Sequence, residues 1–106
     1  MRLITRKKLK EKLDKGEGFK LLFVLGEWHF RAKHIPGSLH LESPEKAKDI
    51  LKPEDEVIVY CASVTCTASI YAYYTLEKLG YKNLHRYAGG IEDWEAAGFP
   101  LEGEMV

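Results

Sequence analysis

The stretch VIVYCASVTCTASIYAYY, residues 57–74, contains the change of pattern that decides the fold. It opens with β-forming residues, passes through a short loop of small and hydroxylated residues, and ends in a run with helical spacing. A continuous apolar run of this length is typical of a strand that is covered on both faces. We therefore predict a buried strand over residues 56–60, a loop that begins at Cys61, and a helix over residues 67–79.

The predicted helix after the loop is apolar around most of its circumference. Gly80 follows it and supplies a stop signal. Its apolar positions are 68, 70, 71, 72, 74, 76 and 79. A helix that is apolar on nearly all sides is usually buried, so we expect it to be central.

The flanking segments continue the alternation of strand and helix. In chain order they are an edge strand near Ile4, a helix over 5–15 capped by Thr5, a strand over 19–25, one or two helical turns over 27–33, a turn over 34–38, a short strand over 39–41, a helix that starts at Pro44 after a Ser43 cap, a strand over 83–87, a turn at Gly89 and Gly90, and a short helix over 91–98. Such alternation implies right-handed crossovers. We predict an α/β fold with a mostly parallel central sheet of about five strands and helices on both faces.

Composition narrows the class of protein and of partner. The chain of 106 residues is long enough to bury a core, and we expect a single domain over residues 1–106. It carries 16 basic and 16 acidic residues, a balance that favours a small substrate over nucleic acid or an anionic membrane. The first ten residues lack the apolar run of a secretory signal, and residues 21–25 are too few to span a bilayer. We expect a cytoplasmic protein.

We expect no metal site in this chain. Two cysteines cannot complete a structural zinc site, and in a reducing compartment they are more often reactive or buried than bridged. The histidines have no close ligand spacing and are interpreted as structural or surface groups: His29, His34, His40 and His85.

Cys61 is the candidate nucleophile because of its place in the pattern. In open parallel sheets, ligands lie beyond the carboxyl ends of the strands, where loops lead into helix N-termini. Unpaired N–H groups and the positive end of the helix dipole can stabilise an anion there, and a thiolate is such an anion. A buried core cysteine remains the alternative for Cys61, and for Cys66, at the helix start, packing is the simpler interpretation.

Beyond Cys61, several segments of the chain resemble the single-domain rhodanese family of sulfurtransferases. HFRAKHIPGSLHL, residues 29–41, is similar to the family segment around "hIPGA", and VIVYC is similar to its strand that ends in the catalytic cysteine. Residues 76–103 are similar to the C-terminal signature "LGY-N-V--y-GG---W---G-P". This last segment is the most specific, since two glycines, a tryptophan and a proline recur at set intervals.

The resemblance implies that Cys61 accepts a sulfane sulfur from thiosulfate, a persulfide or a polysulfide and becomes a persulfide itself. A thiol or cyanide-like acceptor then removes the sulfur, with a sulfur-relay protein as a further candidate partner. No cofactor and no metal are implied. The sulfur-binding residues are those of the loop and of the position after it: Ala62, Ser63, Val64, Thr65, Cys66 and Thr67.

The loop departs from the common family pattern at two positions. Many relatives have a glycine where Val64 stands and an arginine where Cys66 stands, so a loop cation is missing here. Arg31 or Arg86 is the candidate substitute for that cation. Trp28, His29, Phe30 and Arg31 are candidates to line the pocket mouth. For Cys66 itself, two roles stay open, a packing role and the resolution of the Cys61 persulfide into a disulfide.

Two other functions are compatible with a cysteine loop of this kind. A cysteine phosphatase or arsenate reductase needs an arginine that closes the loop, because a guanidinium must hold the charge of the transferred group. Cys66 occupies that position, which argues against this class. The second alternative is a non-catalytic rhodanese-like module that binds a partner, against which the presence of Cys61 argues.

Overall fold

A computed structural model describes residues 1–106 and contains one parallel sheet of four strands. The strands are β1 (Lys20–Phe23), β2 (Leu39–His40), β3 (Val57–Tyr60) and β4 (Leu84–Tyr87), in the order β2-β1-β3-β4. β3 is buried along its whole length, as its apolar sequence predicts. The α/β class and the parallel arrangement are confirmed.

The count of about five strands was one too high. Leu3 forms an isolated parallel bridge with Arg86, and the backbone around it adds two hydrogen bonds, Arg86 N to Arg2 O at 2.9 Å and Ile4 N to Arg86 O at 3.0 Å. The pairing cannot extend because the first helix begins at Arg6, capped by Thr5. The predicted edge strand near Ile4 is therefore a single bridge.

The helices are α1 (Arg6–Lys15), α2 (Glu27–Ala32), α3 (Ala68–Lys78) and α4 (Gly90–Ala96), and a 3₁₀ helix spans Pro44–Asp49. The predicted Thr5 cap of α1 is confirmed, since its side chain accepts a hydrogen bond from the Lys8 N–H. None of these helices is long and apolar enough to cross a membrane.

The segment after Ser43 is a 3₁₀ helix of six residues, where an ordinary α-helix was predicted. Ser43 does not cap its backbone; its hydroxyl instead donates to the Glu45 carboxylate. Without a cap, the segment has hydrogen bonds between residues three positions apart, from Lys46 N to Ser43 O and from Ile50 N to Ala47 O, which is the 3₁₀ pattern. Only Ala47 of this helix is buried.

The expectation that α3 is central was also wrong. Its buried positions lie on one side and are Ser69, Ala72, Tyr73 and Leu76. Tyr71 and Tyr74 are 59% and 43% exposed, and the Tyr71 hydroxyl donates to Glu45 at 2.5 Å. A tyrosine can cover apolar surface with its ring while its hydroxyl stays in water, so an apolar circumference overstates the burial of this helix.

The core consists of two clusters, one on each face of the sheet. Val57 and Val59 of β3 point into the first cluster, and Ile58 and Tyr60 point into the second. The first cluster includes residues of α3 and the 3₁₀ helix, and the second includes residues of α1 and α4. Helices therefore cover both faces, as predicted. Cys61 continues the alternation of β3 and belongs to the cluster on the α3 side.

Candidate active site

Cys61 lies at the carboxyl end of β3, the edge of a parallel sheet where ligands bind. Cys61 is 1% exposed. It forms a disulfide with Cys66, and the Cα atoms of the two cysteines are 6.5 Å apart. Two further atoms contact Cys61 Sγ: Ser69 Oγ at 3.4 Å and the Cys66 carbonyl oxygen at 3.7 Å. The bonded sulfur is not a nucleophile, so the reduced chain is the form that can react.

The first turn of α4 holds the start of the cysteine loop by its backbone. The Ile91 N–H donates to the Cys61 carbonyl at 3.0 Å, and the Glu92 N–H donates to the Ala62 carbonyl at 2.9 Å. Gly90 has a φ of 66°, and a Cβ there would lie 2.8 Å from the Ala62 carbonyl carbon and closer still to the Cys61 carbonyl oxygen. Because Gly90 has no side chain, α4 can lie directly against the cysteine loop.

Most backbone amides of the loop are available for an anion. The Cys66 N–H donates to the Ser63 carbonyl at 3.1 Å and closes a turn. The remaining N–H groups of the segment make no hydrogen bond within the chain: those of Ala62, Ser63, Val64, Thr65 and Thr67. Ahead of α3, these donors add to the positive end of the helix dipole.

The sequence-predicted sulfur-binding residues follow Cys61 directly in the chain, and of them only Ala62 lines the cleft described below. Ala62, Ser63 and Cys66 are half-buried, whereas Val64, Thr65 and Thr67 are exposed, with Val64 at 67%. The Ser63 and Thr65 hydroxyls are 3.0 Å apart and form a hydrogen bond on the exposed side of the loop. Thr67 precedes α3 but its side chain makes no capping bond.

Comparison with known proteins identifies the family. A family model described as "Rhodanese-like domain" matches residues 5–97. The chain belongs to the rhodanese-like family. Its fold agrees with that assignment, since a solution structure of the rhodanese-like domain of the Anabaena protein Alr3790 superposes with a TM-score of 0.86 at 26% identity, covering 99% of this chain and 81% of that one.

Two relatives of this rhodanese-like chain are named for sulfur chemistry. The protein YrkF of Bacillus subtilis, provisionally named a sulfur carrier protein, is 31% identical over 93 residues, which are 86% of this chain and 49% of that protein. The thiosulfate sulfurtransferase GlpE of Actinobacillus succinogenes is 33% identical over 84 residues, 77% of this chain and 74% of that protein. The chain thus spans about half the length of the first relative.

A cleft of about 320 Å³ adjoins the loop of this rhodanese-like chain at Ala62. Of the residues expected at the pocket mouth, it contains His29 alone; Trp28 is 72% exposed and Phe30 stacks on His34 with ring centroids 4.1 Å apart. The complete lining is Phe23, His29, Ala32, Lys33, Ala62, Ile91, Glu92, Glu95 and Met105.

Neither arginine proposed as a substitute for the loop cation is a free charge at the cleft. Arg31 pairs with Glu104 at 3.2 Å, and Lys33, the cation that does line the cleft, pairs with Glu95 at 2.8 Å. Arg86 is 6% exposed, and its Nε donates to Ser69 Oγ at 2.8 Å, so it lies below the sulfur inside the protein. β4 directs the Arg86 side chain toward α3, so Arg86 does not line the cleft, and its role as a substitute cation stays a prediction.

Ser69 is the residue near the cysteine that the sequence did not single out. It is the second residue of α3 and is 1% exposed. A serine after TCTA reads as an ordinary helix residue, and only its contact with both Cys61 and Arg86 distinguishes it. Each of these two residues has polar neighbours in its own element, so the sequence carried no distinctive signal for either.

Proposed function

We propose that this chain is a sulfurtransferase that carries sulfane sulfur on Cys61. The observation that supports the proposal most is the position of Cys61: a cysteine at the end of a central parallel strand, in a loop with unpaired amides ahead of α3, in a chain of the rhodanese-like family. Unpaired N–H groups beside Cys61 would favour a thiolate, and they would also favour the anionic terminal sulfur of a persulfide.

The proposed reaction has two displacements. The Cys61 thiolate attacks the outer sulfur of a donor R–S–SH, the donor S–S bond breaks, and the thiolate RS⁻ leaves. An acceptor thiolate then attacks the outer sulfur of the Cys61 persulfide, and Cys61 returns to its thiolate form. The sulfur atom moves without a change in the number of S–S bonds, so neither oxidant nor reductant is consumed, and no cofactor or metal takes part.

A persulfide or polysulfide is the donor that the charges of the site favour over thiosulfate. Thiosulfate carries two negative charges, yet the loop lacks a cation, and the carboxylates of Glu95 and Glu104 neutralise Lys33 and Arg31. A paired, exposed cation attracts a second anion weakly. We therefore propose a persulfide donor and a thiol acceptor; a sulfur-relay protein fits the second role, as the name of the Bacillus subtilis relative suggests. A reducing compartment such as the cytoplasm would keep both cysteines as thiols.

The test is sulfur loading of the reduced chain. After incubation with glutathione persulfide, intact-mass analysis should show one added sulfur atom on Cys66→Ser, where no second cysteine can remove it, but none on Cys61→Ser. Loading by thiosulfate should be at least about tenfold slower, in line with the paired cations at the cleft. If neither donor loads the chain while its melting temperature is normal, the protein is a non-catalytic rhodanese-like binding module instead.

A second function, persulfide reduction, is favoured by the bonded pair of cysteines. The Cys66 thiolate would attack Cys61 Sγ, the bond from Cys61 Sγ to the outer sulfur would break, and hydrosulfide would leave as the Cys61–Cys66 disulfide forms. The structure has this disulfide, so Cys66 can reach the sulfur it must attack. A dithiol reductant would restore the two thiols.

Cys66→Ser separates the two functions. We expect the loaded parent to release sulfide with the time course of disulfide formation, and loaded Cys66→Ser to keep its persulfide until an acceptor thiol is added. Sulfide release can be followed with a colorimetric assay and the disulfide by intact mass after alkylation. Equal sulfide release from both proteins would assign Cys66 a packing role and leave transfer as the function.

A further inference from the structure

Arg86 is a buried charge without a carboxylate partner. It is 6% exposed, and none of the eight ion pairs of the chain includes it. Its side-chain bond is from Nε to Ser69 Oγ, a neutral acceptor, at 2.8 Å. A buried guanidinium normally has an anion nearby because its desolvation is costly. No carboxylate of the chain therefore pairs with Arg86.

The N-terminus of α3 adds to the positive electrostatic potential near Arg86. Ser69 is the second residue of α3, so the positive end of the helix dipole lies at the same place as the guanidinium. Two positive potentials therefore act at the buried Ser69, one from the helix and one from Arg86. The ionisable group in contact with Ser69 at this place is the thiol of Cys61, with Sγ 3.4 Å from Ser69 Oγ.

The hydrogen-bond directions at Ser69 follow from the chemistry of its neighbours. A guanidinium can only donate, so Ser69 Oγ accepts from Arg86 Nε. The hydrogen of the Ser69 hydroxyl then remains for another acceptor, and Cys61 Sγ is the other polar atom in hydrogen-bond contact. A sulfur that receives this hydrogen is stabilised as a thiolate and not as a thiol, because a thiolate is the stronger acceptor.

We propose that Ser69 and Arg86 are positioning residues that hold the Cys61 sulfur as an anion, Arg86 by orienting the Ser69 hydroxyl and by its own charge. The inference rests on the proposed role of Cys61 as the nucleophile. It gives the rhodanese-like chain an internal cation, below the sulfur, where the loop has none. The pair acts in both displacements, because it favours the attacking thiolate and also the Cys61 thiolate that leaves when the acceptor takes the outer sulfur.

The test measures ionisation of Cys61 without any sulfur transfer. The chain has two cysteines, so in the Cys66→Ser background every alkylation by iodoacetamide occurs at Cys61. The rate of alkylation against pH gives the midpoint of thiolate formation. The other titratable side chains around the cleft, His29, Lys33, Glu92 and Glu95, are the same in every variant and cancel in the comparison.

We expect Ser69→Ala and Arg86→Met to raise this midpoint by about one pH unit or more, and Arg86→Lys to restore part of the shift. The double variant should shift it by less than the sum of the single changes, because the two side chains act in series. Arg6→Met is the matched control, since it removes an exposed charge on α1, and its midpoint should equal that of the parent.

Unchanged midpoints in Ser69→Ala and Arg86→Lys, with melting temperatures near that of the parent, would overturn the inference. Alanine is well tolerated in a helix, so Ser69→Ala remains informative if Arg86→Met fails to fold. Failure of the proposed function gives a different result. If the midpoints shift but no donor loads the chain, Ser69 and Arg86 stabilise the thiolate, and the protein is not a sulfurtransferase.

Discussion

At the scale of single residues, Gly90 combines a left-handed backbone with a close contact. Its φ is 66°, and a Cβ would press on the backbone of Cys61, Ala62 and Ser63. Gly98 also has a positive φ, 76°, but a Cβ there would meet no atom within 4 Å. A substitution at Gly98 therefore introduces backbone strain alone, whereas a substitution at Gly90 introduces both strain and a steric clash with the cysteine loop.

We expect Gly98→Ala to lower the free energy of unfolding by about 1–2 kcal/mol, the cost of a left-handed alanine. Gly90→Ala should cost at least about 1 kcal/mol more, since the loop or α4 has to move. Urea denaturation measures both values. Sulfur loading of Cys61 should slow in Gly90→Ala and stay normal in Gly98→Ala; equal behaviour of the two variants would contradict the steric role of Gly90.

The sequence offered Arg31 and Arg86 as candidates for the missing loop cation and did not indicate where either side chain lies. Arginine is mostly exposed in folded proteins, so residue type alone gives no reason to expect a buried Arg86. In the structure, Leu84 and Arg86 point to the same face of β4, toward α3, and the guanidinium reaches Ser69. Which face a strand residue occupies depends on its partner strand, and a single strand of the sequence does not specify that.

At the scale of elements, the strong signals predicted the structure well and the weak ones did not. Thr5 and Gly16 bound α1 as expected, because a cap and a left-handed glycine act through local contacts. The 3₁₀ helix over Pro44–Asp49 lacks a working cap and is short, so its geometry depends on the packing of Ala47 beneath α3. Local sequence does not determine that contact.

The exposed tyrosines of α3 are a second case in which local sequence does not determine a tertiary contact. Tyr71 bonds to Glu45 of the 3₁₀ helix, and this hydrogen bond raises the pKa of the Tyr71 hydroxyl above its ordinary value. The partner lies 26 positions away in the sequence, so helical spacing alone gave no indication of it. Hydropathy counted Tyr71 as apolar and thus predicted a central helix that the structure does not have.

At the scale of the whole molecule, buried tyrosines of the sheet form hydrogen bonds with neighbouring loops and helices. They also determine how the free energy of unfolding changes at alkaline pH. The Tyr60 hydroxyl accepts from Ile35 N–H at 2.9 Å and donates to Ser38 Oγ at 2.8 Å, and the Tyr87 hydroxyl donates to Asp93 at 2.5 Å. Burial, the largest cause in both, raises the pKa of Tyr60 and Tyr87 far above the ordinary tyrosine value.

The sign of the pH effect follows directly. Above about pH 10 the unfolded chain releases tyrosine protons that the folded chain retains, so the free energy of unfolding falls as pH rises. Urea denaturation between pH 9 and pH 11 should show this slope, and Tyr60→Phe should reduce it even though the variant is less stable throughout. Tyr74→Phe, at an exposed position, is the control. A slope that is equal in both variants would contradict the role of Tyr60.

The sequence by itself determined the class of fold, the order of its main elements and the place of Cys61, the candidate nucleophile, at the end of a strand. It could do so because apolar runs, caps and glycines act over a few neighbouring residues, and because strand, loop and helix in succession bring Cys61 to the ligand-binding edge. Only the tertiary structure decided the number of strands, the faces of α3 and the partners of Cys61. Ser69 and Arg86 are 17 positions apart and meet below the sulfur only after β4 and α3 pack together.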